Sequence, residues 1–382
     1  MKILLFSEYS GFYNALKEGL QELGHDVMLI GRTDGYKKYP VDLLIDVSFF
    51  NKRWPSFFRK AIYKVSGCDI GSLEVFYKFL KHKHKFKNFD VVQLVNEFPL
   101  KIHPILEKYC LNYIFKHNQN VYLSACGDDT IYINYLLSNK LPYHFLTPYL
   151  KDKSLKNNYK YALLYTKKNQ IRLHEFVINN IKAIIPADID YAMAYINHSK
   201  ATALIPFPIR LHYLDYCFPS TTKKIVIFHG VSTVNYLKKG SDYFDKAIAI
   251  IVQKHPEKVI IKRIESLPYA TYVNAYNECH ILLDQVFSYD QGYNALEAMA
   301  KGKVVFTGVE QEWLTHYKLV KNTVAINAKP NVNYLVDQLE WLILNPIKLL
   351  EISKNARQFV ENEHHYVEIA RKYVAFWKST TN

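Results

Sequence analysis

Short runs of wholly apolar residues alternate with helix-length segments along most of the chain, and the pattern occurs twice. A strand that is apolar on both faces must be covered on both. Helices returning between consecutive strands do this by wrapping a parallel sheet. In the first half, Ile3–Phe6 reads as such a strand, and the helix behind it carries Leu16, Leu20 and Leu23 at i, i+4 and i+7 before ending at Gly24. His25–Gly31 is the next strand, with further candidates at Val41–Asp46, Asp90–Val95, Asn120–Ala125 and Ile181–Pro186. Pro206 and Pro208, followed by Pro219, Ser220, Thr221 and Thr222, read as an interdomain linker. The alternation then restarts with strand Lys224–Phe228, helix Ser241–Lys254, strands Val259–Ile264 and Ile281–Asp284, helix Asn294–Lys301 and strand Val304–Phe306. Helices near Asn331–Leu344, Ile347–Glu361 and His365–Lys378 close the chain. The expected class is α/β. Two doubly wound domains of similar build, split near residue 220, account for the repeated pattern. At 382 residues the chain is long enough for two cores.

Charge and cysteine content narrow the function classes. Lys and Arg total 49 against 35 Asp and Glu, a net charge of +14, alongside 31 Tyr and 22 Phe. Basic groups mixed with aromatics favour a polyanionic partner: nucleic acid, an anionic membrane, or a phosphorylated substrate. The five cysteines are widely spaced and form no CxxC, which argues against a disulfide framework or a structural zinc site and for a reducing compartment. The apolar run near Met1 gives way to Ser7 and Glu8, too short for a signal peptide or a span. The expected location is the cytoplasm, soluble or peripheral on the inner face of the cell membrane.

The most informative segment runs from Leu282 to Phe306: a strand, a loop with Gly292, a short helix carrying Glu297, then Gly302 and a second strand. A glycine loop that opens a helix at the C-terminal end of a parallel strand is a ready anion site, because free N–H groups and the helix dipole meet there. Gln291, Gly292, Tyr293 and Asn294 occupy that opening. Glu297, about one turn in, could accept hydrogen bonds from the vicinal hydroxyls of a ribose. A solvent-facing helical Glu beside a core of Leu296 and Met299 is the plainer alternative. A second segment, His229 to Gly240, joins the first strand of the second half to its first helix. Lys239 stands just before Gly240 and Ser241 at a helix start, where a lysine holds phosphate as a point charge. Asn235 can add a donor. A solvated turn is the usual reading of Lys-Lys-Gly alone; together the two segments place a phosphate site and a hydroxyl-binding carboxylate in one crevice.

With these motifs, residues 223–310 resemble the C-terminal half of the GT-B-fold, nucleotide-sugar-dependent glycosyltransferases, in the retaining group that builds bacterial surface glycans (glycosyl transferases group 1). That group carries a basic residue–spacer–Lys-Gly element and a Glu-x7-Glu element ending in the string read here from Glu297 to Gly302. The resemblance implies two Rossmann-like doubly wound domains facing a deep cleft, a donor domain at 220–364 and an acceptor domain at 1–219, with a last helix within 365–382 packing back on the first domain. Lys239 would contact the donor diphosphate, Glu297 the ribose, and the N–H groups of Gly292 and Tyr293 the phosphates. It further implies retention at the anomeric carbon, no required metal and no cofactor beyond the nucleotide diphosphate sugar as co-substrate. Two positions depart from the pattern. Tyr289 stands where the group has its first Glu, with Asp290 beside it, and Asn235 stands where an arginine is common.

The first half supplies the acceptor side of this expectation. Asp128 and Asp129 follow the Asn120–Ala125 strand, in a turn that faces the cleft of a doubly wound fold, and either could orient an acceptor hydroxyl. Asp129 is equally a helix cap. Gly11, after the first strand, allows close backbone approach to donor or acceptor. Asn96 and Glu97 are cleft candidates, and His103, His364 and His365 read as structural or exposed. Residues 51–89 hold ten Lys/Arg against two acids, and residues 151–172 hold seven against one. Both stretches lie in the first half, so the expected partners are an anionic membrane surface and a glycan or polyprenyl-diphosphate-linked acceptor, not nucleic acid. The alternatives on the same residues are a nucleotide-sugar epimerase, a non-catalytic sugar-nucleotide binder motivated by Tyr289, and a single-strand nucleic-acid binder.

Overall fold

The computed structural model describes residues 1–32, 39–220, 224–265 and 269–380. Thr221 and Thr222 of the expected linker lie outside them, as do the last two residues of the 365–382 segment. The first half forms a six-stranded parallel sheet from β1 (Lys2–Phe6), β2 (Asp26–Gly31), β3 (Leu43–Leu44), β4 (Val91–Leu94), β5 (Val121–Ala125) and β6 (Ile184–Pro186), in the order β3-β2-β1-β4-β5-β6. The second half forms a five-stranded parallel sheet from β7 (Ile225–Val231), β8 (Val259–Glu265), β9 (Ile281–Leu283), β10 (Val304–Thr307) and β11 (Ile326–Asn327), in the order β11-β10-β9-β7-β8. The α/β class with two doubly wound sheets is therefore as expected.

Strand β6 begins at Ile184 rather than at the expected Ile181, and three further strands differ from the expectation for reasons visible in their pairing. The Val41–Asp46 run pairs only through Leu43 and Leu44. Asp42 N and Ile45 N still donate to Leu29 O and Gly31 O, both at 2.8 Å, but at the first end the Asp42 carboxylate takes Leu29 N at 2.7 Å, and past the second the Asp46 carboxylate takes Val47 N at 2.7 Å. Strand β7 runs three residues beyond Phe228, because His229, Gly230 and Val231 find partners in Arg263, Ile264 and Glu265 of the long edge strand β8. Strand β11 is two residues long and leaves no periodicity in the sequence.

Chain order in each sheet reverses beside its first strand, between β1 and β4 and again between β7 and β9. At such switch points the loops leaving the strand ends part and open a crevice. Each sheet thus contributes one crevice, and the two face each other.

Two features fasten the halves. The helix Tyr366–Thr380 returns to lie on the helix Phe12–Glu22, and Gly19 permits that approach. A Cβ there would sit 2.5 Å from Tyr366 O and 2.9 Å from Ala370 Cβ. Trp377 Nε1 then donates to Gln93 Oε1 at 3.1 Å beneath the first sheet. The segment read as a linker is packed: Ile205, Phe207, Ile209 and Leu211 are buried.

The second fastening is a reciprocal pair of carboxylates. Asp190, after β6, accepts from Tyr289 N and Asp290 N, both at 3.1 Å, and from Ser288 Oγ at 3.1 Å. Asp290, after β9, accepts from Ile189 N at 2.9 Å and Gln291 N at 2.6 Å. Each half thus caps backbone donors of the other. Burial raises Asp190 to about 6 and Asp290 to about 7, and Asp188 well above the ordinary carboxylate value. A carboxyl raised on folding binds its proton more tightly in the folded state. Its contribution is complete below the ordinary value of 3.8 and is lost as pH rises through about 6 and about 7. Urea unfolding should therefore show stability falling from pH 5 to pH 8. Asp290→Asn, which keeps the size and one acceptor without the charge, should flatten that slope by about 1–3 kcal/mol over the interval. An unchanged slope would contradict the arrangement.

Candidate functional site

The loops at both switch points converge on a cavity of about 960 Å³ between the sheets. Tyr9 and Ser10 enter from the loop after β1, and Phe98 and Lys101 from the loop after β4. Gly127 and Asp128 follow β5, and Asp188, Asp190 and Tyr191 follow β6. From the second half come Asn235, Lys238 and Lys239 after β7 and Gln285, Phe287, Ser288, Asp290, Gly292 and Tyr293 after β9. A smaller cavity of about 330 Å³ adjoins it, lined by Gly11, Tyr39, Arg210, Asn274, Tyr293 and Glu297 among others. Tyr293 lines both cavities, and its hydroxyl donates to Pro208 O at 2.5 Å.

On the donor side, Lys239 Nζ donates to Asp284 Oδ1 at 2.8 Å, and Asn294 Nδ2 donates to the same oxygen at 2.8 Å. Thr307 Oγ1 lies 3.4 Å from Asp284 Oδ2. Asp284 is buried at the end of β9, so its charge is held by this set of donors. Gly240, which follows Lys239, has φ +68°, and a Cβ there would meet Val286 Cβ at 2.8 Å. Val286 N in turn donates to Lys239 O at 2.8 Å, locking the two loops together. Gly292 precedes the helix Tyr293–Ala300 with ordinary extended backbone and open space at its α-carbon. Its use is room for a ligand rather than a special dihedral. Gln291 is turned inward, donating from Nε2 to Gly308 O at 2.6 Å, and does not line the cavity. Glu297 lies on the buried side of its helix and faces the smaller cavity. Lys239 and Glu297 therefore stand in adjoining cavities divided by Tyr293, where the sequence pattern predicts a single crevice.

Asp128 lines the large cavity; burial raises its carboxyl, against the pull of Lys238 and Lys101. Asp129 accepts from Tyr132 N at 2.7 Å and caps the helix Thr130–Leu137, the structural one of its two expected roles. Tyr289 is buried with its ring 5.7 Å from that of Tyr143, and it does not line the cavity. Gly11 has φ +92°, but its N–H donates to Glu8 Oε1 at 2.7 Å, and Glu8 Oε2 accepts from Asn14 N at 2.7 Å. The carboxylate of Glu8 thus fills the anion position at the first helix of this half. Asn96 and Glu97 lie under the floor. Asn96 Nδ2 donates to Cys126 O at 2.9 Å and Asp128 O at 3.1 Å, and Glu97 accepts from Thr130 N, Thr130 Oγ1 and His174. His103 caps the helix Pro104–His117, and buried His364 holds Phe207 O at 2.8 Å.

Sequence reasoning misses Asp284, Asp190, Asp188, Glu8 and Lys101. Asp284 is visible as the polar end of the Ile281–Asp284 run, a break that marks where a strand meets the cleft. Asp190 finds its partners in the distant loop after β9, whereas Glu8 and Asp188 bond Gly11, Asn14 and Tyr191 close by in the chain, where an acid before a helix reads as an ordinary cap. The cavity is also rich in tyrosine: Tyr9, Tyr132, Tyr161, Tyr165, Tyr191 and Tyr293 all line it. Among the described residues no group of three His, Cys, Asp or Glu side chains is arranged to hold a metal ion, and no helix is long and apolar enough to cross a membrane.

Residues 234–375, which include Asn235, Lys239 and Glu297, match the family model described as glycosyl transferase-like. No curated protein matches the chain at a significant level. Among solved structures, sucrose-phosphate synthase from Thermosynechococcus elongatus is similar at 12% identity over 99% of both chains, with a TM-score of 0.60. HepE from Anabaena, in complex with UDP and glucose, is similar at 11% identity over 99% of this chain and 100% of that one, with a TM-score of 0.59. The catalytic domain of starch synthase IV from Arabidopsis thaliana, bound to ADP and acarbose, is similar at 10% identity over 100% and 99%, with a TM-score of 0.61. At these identities the likeness shows the fold. The chain has the two-sheet fold of the GT-B glycosyltransferases, and over residues 234–375 it matches a glycosyl transferase-like family model.

Proposed function

We propose that the protein is a glycosyltransferase that moves a sugar from a nucleotide diphosphate sugar to a glycan or polyprenyl-diphosphate-linked acceptor. In this reading it works at the cytoplasmic face of the membrane in surface polysaccharide synthesis, retains anomeric configuration and requires no metal. The observation that carries it is the convergence of Lys239, Gly292 and Tyr293 with Asp128 on one cavity between two switch points. Lys239 and the start of the Tyr293–Ala300 helix would take the diphosphate. Glu297, in the adjoining cavity, would take the ribose hydroxyls. The tyrosines offer flat apolar faces with polar tips, which suits a ring that is apolar across its face and hydroxylated at its edge. Asp128 would orient the acceptor hydroxyl. Fixed donors that stabilise the departing diphosphate then lower the barrier more than any other effect in the site, and Lys239 with the helix start supplies the charge that a cation would otherwise bring. The UDP in the HepE complex and the ADP in the starch synthase complex support a nucleotide co-substrate.

Tyr289 bears on the donor sugar. Its burial against Tyr143 leaves the group's first Glu position without a side chain in the cavity. Asp290 lines the cavity, yet both its oxygens are engaged with Ile189 N and Gln291 N. Sugar selection in this chain therefore falls to the tyrosine wall and Asp128.

Two measurements test the reading. Glu297→Ala should weaken UDP or ADP binding in calorimetry by about tenfold or more, as expected for losing hydrogen bonds to a charged acceptor; unchanged affinity would remove Glu297 from the site. Lys239→Ala should lower nucleotide affinity and also destabilise the fold by about 3 kcal/mol, because Asp284 loses the cation that pairs with it and stays buried. Lys239→Arg should restore most of the stability. Loss of stability without loss of affinity would make the pair purely structural.

A further inference from the structure

The helix Arg53–Ser66 leaves the C-terminal end of edge strand β3, on the side of the first sheet where the large cavity opens, and none of its fourteen residues is buried. Its apolar residues are not scattered. Trp54, Phe57, Phe58, Ala61, Ile62 and Val65 follow the i, i+3, i+4, i+7, i+8, i+11 spacing that makes one continuous stripe on a helix. In a water-soluble domain such a stripe faces the core. Here it faces outward: Trp54 is 78% exposed, Phe57 68% and Val65 90%. The opposite side, through Pro55, Ser56 and Arg59, is the one turned toward the protein. Arg59 grips Asp69 through Nε and Nη2, both at 2.6 Å, and its Nη1 donates to Asn51 Oδ1 at 2.5 Å. The helix is thus anchored by its polar face and displays its apolar one.

Charge selects what covers that face. Arg53, Lys60 and Lys64 fall in a row along one edge of the stripe, and no acidic residue occurs between Lys52 and Cys68. A second copy of the chain would bring these cations against one another with no acid on the helix to meet them. An anionic lipid surface meets both features at once: the rings enter the acyl boundary and the cations reach the headgroups. We infer that the helix Arg53–Ser66 is an in-plane membrane anchor, inserted by its apolar stripe into an anionic bilayer surface, and that it presents the mouth of the cavity to that surface. This deepens the membrane-facing part of the reading above and rests on it. It also separates the two basic stretches. Residues 153–166 form short turns whose Tyr161, Leu164 and Tyr165 line the cavity, with Lys153 and Lys160 lying over the rings of Tyr149 and Tyr161, and Lys168 and Arg172 belong to the helix Lys168–Asn180 that follows. They flank the site, and insertion belongs to the helix.

Flotation of the full chain with phosphatidylcholine vesicles, with and without phosphatidylglycerol, tests the assignment without turnover. Wild-type protein should float with the anionic vesicles, and Trp54 emission should shift to the blue; Trp54→Phe should remove that shift. The double variant Phe57→Ser with Phe58→Ser should lose about tenfold or more in vesicle affinity at both low and high salt, with UDP affinity and melting temperature unchanged. Lys60→Glu with Lys64→Glu should abolish the preference for anionic vesicles, whereas Lys153→Glu with Lys156→Glu should leave Trp54 insertion intact. Wild-type affinity in the double serine variant would overturn the proposal. So would a Trp54 emission that does not move on binding, or a concentration-dependent dimer that the serine variant dissociates while wild type ignores vesicles. Failure to bind UDP would count against the glycosyltransferase reading alone, since vesicle binding requires no nucleotide.

Discussion

Two carboxylates set the relation between the halves of this molecule. Asp190 belongs to the first sheet and is buried against N–H groups of the loop after β9; Asp290 belongs to that loop and is buried against the N–H of Ile189. Burying either group alone would cost several kcal/mol. Each is tolerated because the opposing loop offers backbone donors that would themselves go unpaired in a closed crevice. The exchange fixes how closely the switch points approach, and so the width of the cavity. It also orients the glycine loop, since Ser288, Tyr289 and Asp290 all bond to Asp190. Separation of the halves would return these donors and both carboxylates to water, which makes the contact suited to a joint that opens and closes.

How much of this is legible in the sequence depends on whether the signal is local. Strands such as Ile3–Phe6, Asn120–Ala125 and Ile281–Asp284 declare themselves because burial on both faces leaves an uninterrupted apolar run. The helix Ser241–Lys254 is legible to the residue because its apolar positions recur at helical spacing between Gly240 and His255. The loop from Asp284 to Glu297 can be placed at a cleft from strand, glycine and helix order alone. What escapes is long-range. Nothing near Asp190 says that the N–H groups of Tyr289 and Asp290, ninety-nine and one hundred residues on, will meet it, and nothing near Lys239 says that Asp284, forty-five residues on, will hold it. The direction in which Trp54 and Phe57 point is likewise set by Arg59 and Asp69, not by the stripe itself.

The charge surplus takes on a different meaning once it is mapped on the fold. Within the large cavity, Lys101, Lys238 and Lys239 stand among Asp128, Asp188, Asp190 and Asp290, so the site mixes cations with carboxyl groups. The surplus sits outside, along residues 51–89, which include the Arg53–Ser66 helix, and along residues 151–172. A uniformly basic cavity would attract any polyanion. A mixed cavity beneath a basic exterior instead lets the outer charges govern approach to a surface while the inner groups select by geometry.

The pairing of Lys239 with Asp284 follows the same logic at atomic scale. A lysine free in a cleft would have four rotatable bonds to freeze when a phosphate arrives, at a cost of about 1.5–2 kcal/mol. Asp284 freezes them in advance, using one of the three donors on the ammonium group, while Asn294 shares the oxygen that Lys239 holds and Thr307 lies by the other. Part of the attraction for an anion is thereby cancelled, but what remains is aimed. Charge that must stabilise a departing diphosphate is most effective when it needs no reorganisation as the bond breaks. A lysine held at 2.8 Å by a buried carboxylate meets that condition, and it explains why the apolar strand β9 is followed at once by an aspartate.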